Sequence, residues 1–274
     1  MKYGAFSPTV PFFIKYRPQV QAEPPQKQTE QEVRNQPTNQ PVNNLKYTQG
    51  KMPLTLISAT PSPFARMNRI AMLEKGIPFE LQNEVPWKKA ETQTPKYNPL
   101  EKLPILLDPE DSNFEPVYDS AHIQDYIVQK FAGKEPRLMT GDVDLDLKAR
   151  QILVLAEGVL DAFVLEFFES VRPEEKRSTE WLERQGRKID GGMRAFSELV
   201  EKRKGQYLIG GGSTYTIADI AVACAVGHIA FAGVRPGWEQ QYPELEKWWK
   251  GMDEREYFAS TRPVMFDIKP ETVV

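Results

Sequence analysis

Leu54-Thr55-Leu56-Ile57-Ser58, then Ala59-Thr60-Pro61-Ser62-Pro63-Phe64-Ala65-Arg66, then Met67-Asn68-Arg69-Ile70-Ala71-Met72-Leu73-Glu74-Lys75-Gly76-Ile77-Pro78, form the stretch from which the rest of the chain can be read. The short apolar run predicts a strand, and the Pro61-Ser62-Pro63 cluster predicts a tight turn. Ser62 is a favoured N-cap, and Pro63 stands at the first helical position, where a missing N–H costs nothing. Phe64, Met67, Ile70, Ala71 and Leu73 recur at helical spacing, and Gly76 supplies a left-handed stop ahead of Pro78. The consequence is one hydroxyl at the positive end of a helix, beside N–H groups that the helix cannot pair internally. Such a place can hold an anion. A Ser-Pro helix start is also an ordinary structural cap, so a chemical role needs support from elsewhere in the chain.

From Met52 to about Phe131 the pattern alternates. After the first strand and helix, Phe79-Glu80-Leu81-Gln82-Asn83 reads as strand two. An irregular stretch containing Trp87 and Lys88 leads to an apolar strand at Pro104-Ile105-Leu106-Leu107-Asp108. The turn residues Pro109–Asn113 precede a short strand at Pro116-Val117-Tyr118, and Ser120 opens a helix with Ile123, Tyr126, Ile127 and Phe131 on one face. The order βαβ then ββα is that of a thioredoxin-like domain. In such folds a proline at the start of the third strand is held cis, which turns the preceding residue's backbone outward. Leu103-Pro104 is placed for that, although an edge-strand start gives the same dipeptide. Asp119-Ser120 offers an acceptor for an ammonium and, through a hydroxyl and a helix N-terminus, donors for a carboxylate. By itself the pair is also a common helix cap.

After a linker at Gly133–Gly141 the periodicity becomes wholly helical. Leu147, Ile152, Leu155, Val159, Leu160 and Phe163 recur at core-like spacing within Leu145–Phe168, and Ser178-Thr179-Glu180-Trp181 starts a second long helix running to about Lys204. Gly210-Gly211-Gly212 is a loop and not a phosphate cradle, because no Lys-Ser/Thr follows it. Thr216-Ile217-Ala218-Asp219 caps a very apolar helix, Ile220–Phe231, inside which Cys224 and His228 read as packing residues. The fold class is therefore α/β followed by all-α, with a first domain over 52–132 and a helical one over 142–263.

Residues 1–51 differ from everything after them. Between Gln19 and Asn44 the chain is mostly Gln, Asn, Pro, Glu and Thr, a composition that cannot bury enough surface to offset its ordering entropy. A disordered low-complexity tail is expected, with Met52 as a natural start for the folded unit. The tail carries +4 and the remainder −7 of a total of −3, and neither value points to nucleic acid or to a membrane surface. Lys2, Lys15 and Arg17 hint at a mitochondrial presequence, but Pro8, Pro11 and Pro18 break the helix that such a signal needs. One cysteine and two distant histidines among 274 residues exclude a disulfide framework and give no metal site. No apolar run approaches the roughly 18 residues of a membrane span. The expectation is a soluble, intracellular protein, cytoplasmic sooner than mitochondrial, with no cofactor.

Taken together, Ser62-Pro63-Phe64-Ala65-Arg66 with Arg69-Ile70-Ala71, Asn98-Pro99-Leu100-Glu101-Lys102-Leu103-Pro104, Asp119-Ser120 and Thr216-Ile217-Ala218-Asp219 resemble the glutathione S-transferase family in its serine-using form. Leu155–Ala162, Arg172-Pro173, Trp181–Gln185, Ala223–Gly227, Tyr242-Pro243 and Arg262-Pro263 are similar to a bacterial-type branch, and the similarity spans Met52 to Pro263. The chain departs from the family at Glu101, where Gly is usual. The resemblance implies a transferase that activates the thiol of glutathione, its co-substrate, and conjugates it to a small electrophile, with a peroxidase side activity and a role in detoxification. Ser62 is then the catalytic hydroxyl. Lys102, Leu103, Pro104, Asp119 and Ser120 hold glutathione, and Phe64, Asp161 and Val164, together with Phe163 and Phe167 on the same helix, border an electrophile pocket. Arg66 is expected to be a solvated surface residue that could add positive potential. A homodimer is implied. The alternative is a non-catalytic dimerisation or regulatory module of the same fold, a layout shared by the yeast prion-forming nitrogen regulator.

Overall fold

The computed structural model describes residues 52–86, 92–111 and 115–264, which form a single compact unit. The tail at 1–51, Trp87 and Lys88 and the end of the Pro109–Asn113 turn lie outside the described residues. Strand β1 (Leu54–Ser58) is followed by α1 (Pro63–Glu74), β2 (Phe79–Asn83), a single turn α2 (Thr94–Tyr97), β3 (Ile105–Leu107), β4 (Val117–Tyr118) and α3 (Ser120–Lys130). The sheet order is β2-β1-β3-β4. β1 runs parallel to β2, and both β1–β3 and β3–β4 are antiparallel. This is the mixed sheet of a thioredoxin-like domain. β1 is central, and Leu56 and Ile57 are both fully buried, so it reads as a continuous apolar run and not as an alternation.

The second half is helical: α4 (Val143–Ser170), α5 (Thr179–Lys202), α6 (Ile217–Ala232), α7 (Trp238–Gln241), α8 (Pro243–Asp253) and α9 (Glu256–Ala259). Helix α6 is buried along nearly its whole length and packs on α1, α4 and α8, which is why its sequence is apolar all round. Cys224 and His228 sit inside it, and burial pushes the Cys224 thiol up to about 11 and the His228 imidazole down to about 3. His228 meets the edge of the Phe163 ring at 4.7 Å, so both are core residues, as the packing reading of His228 required. Leu147 is a correction: it is 57% exposed, on the outer face of α4, because a 28-residue helix presents several apolar rows and only one of them meets α5 and α6.

Two polar devices fix the connections around the core. The buried Lys75 ends α1 and donates to the carbonyls of Lys134, Pro136 and Arg137 at 2.7, 2.9 and 3.4 Å, which fixes the linker path. Its ammonium lies below its usual range because burial disfavours the charge. Asp219 accepts from Thr216 N and Thr216 Oγ1 at 2.9 and 3.0 Å, and from Leu208 N at 2.9 Å, so the predicted cap also ties the 205–212 loop to α6. Gly211 near the end of that loop has φ +72°, a conformation open to glycine at no steric cost.

Candidate functional site

Strand register decides where the short motifs meet. Ile57 lies opposite Ile105, and Ile105 opposite Tyr118. The end of β1, the start of β3 and the end of β4 therefore share one edge of the sheet. Ser62, Leu103-Pro104 and Asp119-Ser120 all fall there. Ser58 also pairs with Asn83, which brings the end of β2 and the α2 segment to the same edge.

Ser62 is the N-cap of α1 and Pro63 its first residue; Ser62 Oγ accepts from Ala65 N at 3.2 Å. A hydroxyl that accepts through a lone pair keeps its own proton for donation, so a group beside it receives an O–H within the positive field of the helix end. The Leu103–Pro104 peptide bond is cis. The Leu103 peptide groups have no backbone hydrogen-bond partner among the described residues, and Leu103 is half-buried. Asn98, itself buried, shapes the approach: its side chain donates to Lys102 O at 2.9 Å and accepts from Leu100 N at 3.0 Å. Glu101 in that loop has φ +52°, a left-handed conformation that favours glycine and costs other residues on the order of 1–2 kcal/mol. This is the physical content of the departure at Glu101.

Asp119 also has a positive φ, +75°, and its exposed carboxylate accepts from Ala121 N and His122 N at 3.0 and 3.3 Å. Strain of this kind clusters at ligand sites. Ser120 is buried, and its hydroxyl bonds to Glu157 Oε1 on α4. Burial pushes the Glu157 carboxyl up to about 7; the Ser120 hydrogen bond opposes this, and the charges of Asp119 and Asp161 add to it. Asp161, one turn along α4, lies above its usual range, again through burial, with Asp119 adding and Lys102 and Lys188 opposing. On the β2 side, Glu84 accepts from Thr92 Oγ1, Gln93 N, Thr94 N and Gln82 Nε2 at 2.5, 2.9, 3.2 and 2.6 Å. Burial acts to raise its carboxyl, and these bonds outweigh it, leaving Glu84 below its usual range.

One sheet edge thus presents a capped helix whose hydroxyl makes no donation among the described residues, an unpaired Leu103 backbone beside a cis proline and an acid-and-hydroxyl helix start. The glutathione S-transferase N-terminal domain family matches residues 61–130, and the glutathione S-transferase C-terminal domain family matches residues 179–250. The uncharacterized GST-like protein YibF of Escherichia coli is 36% identical over 213 residues, covering 77% of this chain and 98% of that protein. The chain belongs to the glutathione S-transferase family. Among solved structures, a glutathione S-transferase of Methylobacterium radiotolerans in complex with glutathione sulfonate is 40% identical, with a TM-score of 0.72 over 80% of this chain and 98% of that one. A glutathione S-transferase of Methylobacillus flagellatus with glutathione bound is 31% identical, with a TM-score of 0.69, covering 77% of this chain and all of that one.

Arg66 of this transferase-family chain is a second correction. It is only 3% exposed, and its guanidinium donates to Asp253, Thr261 and the Phe258 carbonyl. The helix face that carries it is covered by α6, α8 and the segment after α9, and periodicity within α1 does not reveal that cover. A cavity of about 340 Å³ lies against it, lined among others by Arg66, Phe231, Trp249, Asp253, Arg262 and Pro263. None of Phe64, Asp161 and Val164 lines that cavity. Phe64, Val164 and Phe167 are half-buried against the core, Phe163 is 4% exposed within it, and Asp161 belongs to the Lys102–Asp119 side. Glu157 and Glu84 were not singled out from sequence. The available signal for Glu157 is an acid one turn before Asp161 within the mostly apolar stretch Ile152–Leu165 of α4.

Proposed function

We propose that the chain is a glutathione transferase that holds the glutathione thiolate at Ser62 and conjugates it to a small electrophile. The observation that carries this reading is the convergence of Ser62, cis Leu103–Pro104 and Asp119-Ser120 at one sheet edge. A free thiol has a pKa of about 8.5, and each unit of lowering corresponds to about 1.36 kcal/mol of preference for the anion. Ser62 O–H, the Phe64 N–H and the positive field of the α1 N-terminus supply that preference, since Pro63 has no N–H and those of Ala65 and Arg66 are bonded to Ser62. The Leu103 peptide groups pair with the peptide part of glutathione. Asp119 takes the ammonium of its γ-glutamyl end, the Ser120 backbone N–H at the start of α3 takes the carboxylate while the Ser120 hydroxyl stays on Glu157, and Lys102 adds a positive charge at the rim. The thiol proton leaves to solvent and the sulfur forms the new bond to carbon: a halide departs with its electron pair, while the oxygen of an epoxide or the α-carbon of an enone takes the pair and is protonated.

A homodimer is part of the reading. Val143, Leu147 and Val154 are 73, 57 and 54% exposed and fall on one face of α4, with Trp181 at 40% at the start of α5. No helix among the described residues is long and apolar enough to cross a membrane. The test is capture of the full chain on immobilised glutathione, followed by turnover of halide, enone, epoxide and peroxide electrophiles. Saturable binding with conjugation of at least one halide, enone or epoxide is expected, a peroxide being reduced instead by two glutathiones to alcohol and water with glutathione disulfide formed. Absence of both, in a folded protein, rejects the transferase.

A further inference from the structure

The cavity beside Arg66 has an unbalanced charge. Arg66 and Arg262 share one carboxylate, Asp253: Arg66 Nη2 reaches Oδ1 at 3.1 Å, and Arg262 Nε and Nη2 reach Oδ2 at 2.9 and 2.7 Å. The remaining bonds of Arg66 go from Nε to Thr261 Oγ1 and from Nη2 to Phe258 O, and that of Arg262 from Nη2 to Asp253 O. Each guanidinium is thus left with an Nη1 that has no partner among the described residues, and both residues line the same cavity. Two cations against one anion leave +1. The Arg66 side chain is only 4% exposed, and a poorly solvated cationic N–H group gains much from an anion. Gly227 keeps that edge open: a Cβ there would stand 3.1 Å from Arg66 Nη1 and 3.0 Å from Trp249 Nε1, which is itself buried without a partner. The other walls, Ala230, Phe231 and Pro263, are apolar. A small inorganic anion would leave those walls wet, and a neutral apolar molecule would leave the guanidinium edges unmatched. An apolar organic acid satisfies both.

We propose that this cavity binds the acid group of the second substrate, an apolar electrophile carrying a carboxylate. The anion site stands on the geometry above, whereas its use for an electrophile rests on the transferase reading. Position favours that use. Arg66 follows Ser62 by one helical turn, about 6 Å of rise. Val264, next to Pro263, donates to Thr60 O at 3.4 Å, within the turn that carries Ser62. The cavity therefore flanks the same turn as the thiolate position.

The test uses the full chain and two aryl chlorides, the anionic 4-chloro-3,5-dinitrobenzoate and the neutral 1-chloro-2,4-dinitrobenzene. In both, the thiolate forms the C–S bond and chloride leaves with its electron pair. The ratio of kcat/KM for the anionic to the neutral compound should fall about tenfold in Arg262→Gln and stay within about threefold of the parent in Arg262→Lys. Arg262 is 56% exposed, so both variants should fold, and circular dichroism checks this. In parallel, unreactive 3,5-dinitrobenzoate is titrated without glutathione, read by tryptophan quenching, and should bind Arg262→Gln about tenfold more weakly than the parent. If the benzoate binds in an Arg262-dependent way but no electrophile turns over, the anion site stands and the transferase reading fails. If the neutral chloride turns over while the ratio and the benzoate affinity ignore Arg262, the transferase stands and this proposal is overturned.

Discussion

A hydroxyl that acts on the developing thiolate should show its effect in turnover more than in affinity. Ser62→Ala removes that donor together with the N-cap acceptor for Ala65 N. It is expected to lower kcat at pH 7 by roughly tenfold to a hundredfold while the KM for glutathione moves less than about threefold. Steady-state kinetics at saturating glutathione decides it, and an unchanged kcat in a folded variant would remove Ser62 from the chemistry. At Asp119 the choice of substitution matters. The carboxylate caps α3 and the backbone has a positive φ, so alanine would disturb both cap and backbone. Asparagine has the same shape and can keep the cap through its amide oxygen while losing the charge. Asp119→Asn should therefore raise the KM for glutathione about tenfold with little change in kcat, and should leave turnover of a truncated thiol without the γ-glutamyl group unaltered. An equal loss with both thiols contradicts the assigned contact.

Between elements, Glu157 links α4 to the start of α3, and its protonation sets how well they fit. Its folded-state carboxyl is raised from 4.5 to about 7, so the folded chain holds a proton there that the unfolded chain has already released. The contribution is therefore fully present below about pH 4.5 and is lost as pH rises toward 7, an upper bound near 3 kcal/mol at about 1.36 kcal/mol per unit. Glu157→Gln keeps the shape without the titration. It should match the parent at pH 5 and exceed it by about 1–2 kcal/mol at pH 8, read as a midpoint higher by roughly 2–8 °C. Stability curves that stay parallel from pH 5 to 8 would exclude this role. That link also marks the limit of what sequence carries. Ser62 with Pro63, the Thr216–Asp219 cap and the burial of Cys224 and His228 follow from local rules, namely caps, turn residues and period, whereas the cis bond at Pro104 follows from the thioredoxin-like strand order and not from the dipeptide itself. Whether an acid on α4 meets Ser120, whether Leu147 faces outward or whether Arg66 is covered depends on which helix packs where. Those facts belong to pairs of elements distant in sequence.

At the scale of the whole molecule, the two halves share one continuous apolar core, from Leu54 in β1 to Phe258 in α9, and a few ion pairs cross between them. Arg255 carries one such crossing: it donates to Glu74 Oε1 at the end of α1 at 2.9 Å and to Tyr207 OH at 3.1 Å, and lies 4.4 Å over the Tyr215 ring. The Glu74 side chain is 9% exposed, so removing its partner strands a poorly solvated charge at the junction. Arg255→Met should cost about 2–3 kcal/mol, less than the roughly 3–5 kcal/mol of a fully buried pair, because Arg255 itself is 28% exposed. Replacing both partners, Arg255→Met with Glu74→Met, should recover most of that loss, since a buried pair exchanged for apolar side chains is often neutral. The shared core adds a second requirement, that the halves melt together. With Trp87 replaced by Phe, the remaining Trp181, Trp238, Trp248 and Trp249 report on the helical half, while glutathione binding reports on the sheet half. In the parent and in Arg255→Met, the loss of the two signals on heating should coincide, the variant's shared midpoint lying roughly 4–12 °C lower. A variant that loses glutathione binding well before its tryptophan transition, or a double variant no better than the single one, would show that the junction is not held by this pair.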